Sequence, residues 1–484
     1  MTKVGFISLG CPKNLVDSEV MMGILNREGY ELTARADDAE ILVVNTCSFI
    51  ETAQKESVDT ILEMAEHKKF GSAKKLIVAG CLVERYRDQI LEQVPEVDAV
   101  VGTGEVERII EAVEGELRIL PAQPPAFLYH DLTPRVLTTP KHQAYIKIAE
   151  GCDHPCTFCI IPELRGAFRS RRFESVLREA ENLAASGTRE ITLIGQDTTS
   201  YGEDLGLRDG LAQLLAKLAG IEDLQWVRFL YAYPNRLTRK ILDTLASHSR
   251  LAKYIDMPLQ HASRNVLARM KRGSNGDAFL KLLDRARTTI PGVALRTSFI
   301  VGFPGETDAD FQELCDFVKA AQLDWMGVFE YSDVDNAESF PLDGKVDAET
   351  ITDRRNRLMA IQKKISREKL RARRSSVETA LVEGPSKDNP LVWEARLESM
   401  APDIDGKLYL TDIEIASPSS TALVSAETGD VVRVEIIKTD AYDLIGRVVE
   451  ILPRPNERPT QHFPVPAPQQ LTRISTGAPL RVLG

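Results

Sequence analysis

Between about residues 140 and 335, short β-rich apolar runs alternate with helical stretches six times: AYIKIAE, EITLIGQ, WVRFLYAYP, YIDMPLQ, ALRTSFIVGF and WMGVFEYS, with a helix expected over 173–186 after the first. This restricts the fold more than any other feature, because repeated strand–helix units build a parallel sheet covered by helices. Six units are two short of a closed eight-stranded barrel and suit a partial (β/α)6 barrel with an open mouth. The same alternation occurs in residues 1–118, where strands are expected at 4–9, 41–45, 76–79 and 99–101. The chain is therefore placed in the α/β class.

The rest of the 484 residues divides by composition. A Pro- and Thr-rich stretch, 119–139, has no period and reads as a linker between a first domain (1–118) and a second (140–374). A helix over 351–374, with Leu358, Ile361 and Ile365 on one face, closes the second domain. Residues 375–453 hold five short β-rich segments separated by turn residues, the pattern of a small antiparallel β-barrel. Residues 454–484 form a Pro-rich tail expected to be flexible.

Charge and cysteine usage bound the chemistry. The net charge of -11 (60 basic, 71 acidic residues) excludes broad phosphate binding as the main mode of recognition. The seven cysteines are an odd number, so a disulfide framework explains them poorly and metal or redox chemistry explains them better. The amino terminus shows no long apolar core of a signal peptide and no apolar run spans a bilayer, so the expected location is cytoplasmic, with no membrane partner.

Three cysteines are compact. In GCDHPCTFC, Cys152, Cys156 and Cys159 follow the first barrel strand directly, which puts their thiolates in a βα loop at the strand carboxyl ends, where barrel active sites lie. Three thiolates can hold three corners of a cubane iron–sulfur cluster and leave one iron open. The alternative is zinc with His154 as a fourth ligand, although structural zinc sites usually pair one C-x2-C with a distant second pair. Three more cysteines are dispersed. Cys11, Cys47 and Cys81 each end a predicted strand (SLGC, VVNTC, VAGC), and residues at the carboxyl ends of one parallel sheet converge in space. A second three-thiolate cluster is one reading, and separately buried structural thiols the other. Cys315, within a helical run, is read as a buried thiol. GFPGE (302–306) lacks the Lys and Ser/Thr of a phosphate loop and reads as a turn.

The compact array resembles the signature of the radical S-adenosylmethionine superfamily. That resemblance implies a [4Fe-4S] cluster whose open iron binds S-adenosyl-L-methionine, and an electron that cleaves it to methionine and a 5′-deoxyadenosyl radical. It also implies cofactor contacts from Phe158, Gly195, Gln196, Asp197, Arg296, Ser298 and Gly302. Over residues 1–453 the chain is similar to methylthiotransferases, which implies a second [4Fe-4S] cluster on Cys11, Cys47 and Cys81 as sulfur source or carrier, a second S-adenosylmethionine as methyl donor, and a terminal barrel of the TRAM type. The segments SLGCPKNLVDSE, NTCSFIETAQKES and FEYSDVDNAESF resemble the branch that methylthiolates the β-carbon of an aspartate in the twelfth small-subunit ribosomal protein, met free or on the ribosome. The alternatives are the branch that modifies tRNA adenosine and a non-catalytic iron–sulfur electron carrier. Fifteen acidic against six basic residues in 377–453 favour a basic protein partner over direct RNA binding. The substrate-gripping residues, the electron donor and the ultimate sulfur source are not legible.

Overall fold

The computed structural model describes residues 1–115, 125–416 and 423–453. The first six positions of the expected linker and the whole expected tail lie outside these.

The first unit contains strands β1 (Lys3–Ser8), β2 (Glu31–Thr33), β3 (Ile41–Thr46), β4 (Lys75–Gly80) and β5 (Ala99–Val101). They pair in parallel in the order β2-β1-β3-β4-β5. Helices α1 (Pro12–Arg27), α2 (Glu51–Phe70) and α3 (Cys81–Gln93) connect β1 to β2, β3 to β4 and β4 to β5, and α4 (Ile109–Glu114) follows β5. Every residue of β3 is buried, as expected of a strand covered on both faces. The short edge strand β2 has no apolar run in the sequence and escaped prediction.

The second unit starts with β6 (Gln143–Lys147), β7 (Ala149–Glu150), α5 (Ile161–Arg165), β8 (Arg169–Ser170), α6 (Phe173–Ala185) and β9 (Glu190–Ile194). It continues with α7 (Gly210–Leu218), β10 (Trp226–Phe229), α8 (Arg239–Ser247), β11 (Tyr254–Asp256), α9 (Arg264–Arg269) and α10 (Gly276–Thr289). It ends with β12 (Ala294–Val301), α11 (Asp308–Ala321), β13 (Trp325–Glu330) and α12 (Ala348–Arg371). The six long strands lie where the alternation put them. They form two parallel three-stranded arrays, β10-β9-β6 and β11-β12-β13, joined by a bridge between Val227 and Leu251. Among the described residues no ladder closes β13 onto β6, so the barrel is partial. Its core runs from Ile146 and Leu193 through Phe229 and Phe299 to Leu358 and Ile365 of α12, and Cys315 is buried in it. GFPGE is a turn in which the Glu306 carboxylate accepts the N–H groups of Gly302 and Phe303.

The third unit holds β14 (Val377–Pro385), β15 (Trp393–Leu397), β16 (Leu408–Asp412), β17 (Glu414–Ala416), β18 (Leu423–Ser425), β19 (Val431–Thr439) and β20 (Leu444–Ile451). Five of these close a barrel in the order β14-β15-β16-β20-β19. The expectation of a wholly antiparallel barrel needs one correction: β16 and β20 pair in parallel. An odd number of strands cannot close a ring with every neighbouring pair antiparallel, so one parallel seam is required.

The units share one core. Val20 and Leu25 of α1, Tyr145 of β6 and the terminal-barrel residues Ala395, Leu408 and Val434 belong to the same buried cluster. Residues 125–139, within the expected linker, are packed down: Tyr129 is buried, and Arg135 pairs with Glu19 at 2.6 Å and Glu179 at 2.7 Å. Among the described residues no helix is long and apolar enough to cross a membrane.

Candidate functional site: two cysteine triads on one cavity

The dispersed cysteines stand at adjacent carboxyl ends of β1, β3 and β4. Cys11 caps α1 with extended backbone, Cys47 follows β3 directly, and Cys81 is the first residue of α3. The glycines before Cys11 and Cys81 are required by the turn from strand to helix. Gly10 (φ +81°) and Gly80 (φ +95°) are left-handed, and a Cβ on Gly10 would lie 2.7 Å from the Cys47 Cβ. Asn14 fastens two of the strand ends, its Nδ2 donating to Leu9 O (3.1 Å) and Thr46 O (2.7 Å). Arg165 Nη2 lies 3.6 Å from Cys81 Sγ.

Electrostatics within this set act differently on the three thiols. Burial and the neighbouring Cys81 and Cys11 push the Cys47 thiol up to about 12. Burial also raises Cys81. For Cys11 burial acts upward, but Lys13, Arg165 and the N–H groups of Asn14 and Lys13 outweigh it and hold the thiol below its ordinary value. Three cysteines at adjacent strand ends could hold a cubane iron–sulfur cluster by three of its corners.

The compact triad occupies the loop after β7. Arg272 Nη1 donates to Cys156 Sγ (3.5 Å), and its guanidinium lies 4.3 Å from the Tyr233 ring centroid. Tyr233 stacks on His154 at 3.7 Å, and His154 Nε2 is 2.7 Å from Asp197 Oδ2. Asp197 also accepts from Thr199 N (2.8 Å) and Ser200 Oγ (2.7 Å). Burial pushes its carboxyl up, but these partners outweigh burial and hold it low. Burial lifts Cys152 to about 11 and Cys159 to about 12, with the other thiols of the triad contributing.

The zinc alternative fits this arrangement poorly. Among the described residues no three His, Cys, Asp or Glu side chains converge on a point that could hold one ion. Thiolates of a cubane bind separate irons and stand farther apart than ligands of a single zinc.

All six cysteines line one cavity of about 4350 Å³. Of the expected cofactor contacts, Phe158, Gln196, Arg296 and Ser298 line it, whereas Gly195, Asp197 and Gly302 do not. Gln196 Nε2 donates to Glu150 Oε1 (2.6 Å), while its buried Oε1 has no hydrogen-bond partner and fits a donor group of a bound cofactor. Arg296 is engaged by Asp256 (2.8 Å) and, across from the terminal barrel, by Asp405 (3.3 Å). Sequence reasoning missed Lys13, whose Nζ lies 3.2 Å from the Tyr231 ring centroid, and the buried ionic group of Asp17, Lys147, Glu150 and Arg165. Lys13, Asn14 and Asp17 were in view as the polar positions of CPKNLVD, but no spacing rule assigns them a role.

Comparison with known proteins agrees with this layout. Residues 3–102 match the model described as Uncharacterized protein family UPF0004, residues 146–318 that of the Radical SAM superfamily, and residues 376–449 that of the TRAM domain. The radical methyltransferase TsrM from Kitasatospora setae shares the fold at a TM-score of 0.50, with 17% identity over 68% of this chain and 73% of that one. A three-cysteine loop at the mouth of a partial barrel, with the Radical SAM superfamily match over residues 146–318, defines a radical S-adenosylmethionine enzyme, which carries a [4Fe-4S] cluster and uses S-adenosylmethionine. Curated proteins named ribosomal protein uS12 methylthiotransferase RimO are similar along nearly the whole length. The one from Solibacter usitatus is 61% identical over 98% of this chain and 99% of its own, and that from Koribacter versatilis 55% identical over 92% and 96%. The chain belongs to the RimO family of methylthiotransferases.

Proposed function

We propose that the chain places a methylthio group on ribosomal protein uS12, at the β-carbon of an aspartate, using two [4Fe-4S] clusters and S-adenosylmethionine. The observation that carries this reading is the opening of both cysteine triads onto one cavity, in a chain whose full-length relatives are uS12 methylthiotransferases. When bound, these groups supply one-electron chemistry able to open an unactivated C–H bond and a sulfur to place there.

The residues of the chain divide the remaining work. Cys152, Cys156 and Cys159 would hold the radical cluster by three corners, leaving the fourth facing the cavity. The Arg272–Tyr233–His154 stack lies beside the triad, with Arg272 against Cys156, and Asp197 fixes the His154 ring. Gln196 Oε1 and Ser298 offer polar atoms to S-adenosylmethionine, and Phe158 an apolar face. Cys11, Cys47 and Cys81 would hold the second cluster. A substrate loop entering the cavity would face both triads. The terminal barrel's excess of acidic residues suits a basic ribosomal protein. On this reading residues 1–118, 140–374 and 375–453 are the cluster, radical and substrate-facing units.

The test is mass spectrometry of uS12 and of digested tRNA from a deletion strain with and without this chain. Restoration of a methylthio group on the uS12 aspartate is expected. Restoration on a tRNA base, with uS12 unmodified, overturns the proposal.

A further inference from the structure

Helix α5 starts two residues after Cys159 and ends at Arg165, so the loop that presents the compact triad also delivers this guanidinium to the dispersed one. The Arg165 side chain is 2% exposed. Nη2 donates to Asn14 Oδ1 (2.5 Å) and approaches Cys81 Sγ at 3.6 Å, while Nη1 donates to Asp17 Oδ2 (2.7 Å) and Glu150 Oε2 (3.3 Å). Lys147 Nζ lies 2.5 Å from both Asp17 Oδ1 and Glu150 Oε2. The far oxygen of Glu150 accepts from Gln196 on the cavity wall. A continuous chain of charge-assisted contacts thus runs from Cys81 through Arg165 and Glu150 to Gln196.

The two carboxylates and two cations of this group cancel. Arg165 is the member that touches a thiol, so its removal leaves a net negative charge, sealed from water, beside the dispersed cysteines. At such a site fixed charges act at low effective dielectric and are little screened by salt. Buried polar and charged neighbours are the usual means by which a protein sets cluster potential.

We propose that Arg165 is a positioning residue that raises the reduction potential of the cluster held by Cys11, Cys47 and Cys81. This deepens the reading above and rests on the presence of that second cluster. Reduction adds one electron to the cluster, taken from a chemical reductant such as dithionite, with no bond made or broken. Arg165 favours the more negative product, and Asp17 opposes it.

The test uses the full chain with Cys152, Cys156 and Cys159 replaced by alanine, so that only the second cluster is loaded, followed by an anaerobic redox titration read by electron paramagnetic resonance. In this background Arg165→Met is expected to weaken reduction at least tenfold, a midpoint more negative by about 59 mV for a one-electron couple. Arg165→Lys retains the charge and is expected to shift less than half as far. Asp17→Asn removes the opposing charge and is expected to move the midpoint the other way. An unshifted Arg165→Met, equal shifts for the Met and Lys variants, or a negative shift for Asp17→Asn each overturns the proposal. If Arg165→Met takes up no iron, the sign of the Asp17→Asn shift decides alone. The triple-alanine parent should bind about four irons. If it binds none, the two-cluster reading falls and this proposal with it, whereas four irons with unmoved midpoints sink the role of Arg165 alone.

Discussion

Replacing Glu190 with Gln should loosen the attachment of the terminal barrel to the radical barrel. Glu190, on β9, is fully buried and pairs with Arg228 at 2.5 Å and with Arg396 of β15 at 2.6 Å. Arg396 keeps a second carboxylate, Glu383, at 2.9 Å, but two guanidinium nitrogens of Arg228 are buried without hydrogen bonds. The substitution therefore strands a buried cation, which costs about 3–5 kcal/mol. With a urea dependence of about 3 kcal/mol per molar, the first unfolding midpoint falls by about 1–1.7 M. Tryptophan fluorescence is a suitable probe, because Trp325 Nε1 donates across the same junction to Ser399 O (2.7 Å). The acid limb provides a second readout. Burial pushes Glu190 up, but Arg228 and Arg396 outweigh it and hold the carboxyl below its ordinary value, and Glu383 is held at about 2 by the same balance with Arg396 and His142. Depressed carboxylates give stability that is present above the unfolded value, about 4.3, and lost as pH falls through the folded one. Stability of the unaltered chain should thus fall as the pH drops from about 4 toward 2, and the variant, with Glu383 alone, should fall less steeply. A midpoint within about 0.3 M of the parent, with an unchanged acid slope, refutes the reasoning.

Three further outcomes are expected. Cys156→Ala should abolish 5′-deoxyadenosine formation by the reduced protein, whereas Cys47→Ala should retain it and leave uS12 unmodified by mass spectrometry; equal loss in both counts against the division of roles. Gly10→Ala forces a side chain into a left-handed position 2.7 Å from the Cys47 Cβ, at about 1–3 kcal/mol, and should lower bound iron from about eight per chain toward four, as measured anaerobically. Thr307 caps α11 in a reciprocal pair with Asp310, and neither lines the cavity, so Thr307→Ala should lower thermal stability by about 1 kcal/mol in calorimetry and leave 5′-deoxyadenosine formation unchanged.

The parts of the fold legible in the sequence are those written in local period. The six barrel strands carry their own apolar runs, and Cys152, Cys156 and Cys159 fall within one turn of chain. Even the dispersed cysteines were readable, because each ends a strand of one parallel sheet and sheet topology does the gathering. Contacts between units were not. Arg296 lines the cavity, but its ion pairs with Asp256 and with Asp405, 109 positions away in the third unit, left no mark on the sequence. Arg165 gave no signal because its partners Asn14, Asp17, Cys81 and Glu150 come from three separate stretches of chain. The parallel β16–β20 seam escaped because pairing direction between distant strands leaves no mark on either of them. The strap 125–139 reads as unstructured by composition, since it is held by the individual side chains Tyr129 and Arg135 and not by any repeating face.

The brevity of α5 restricts modular exchange. A five-residue helix beginning just beyond one triad and ending in a side chain against the other acts as a rigid spacer. Inserting or deleting a single residue there rotates the guanidinium by about 100° away from its thiol. Swapping the amino-terminal unit between homologous enzymes should therefore succeed only when that spacer travels with it, and chimeras cut between residues 159 and 165 should be the ones that fail.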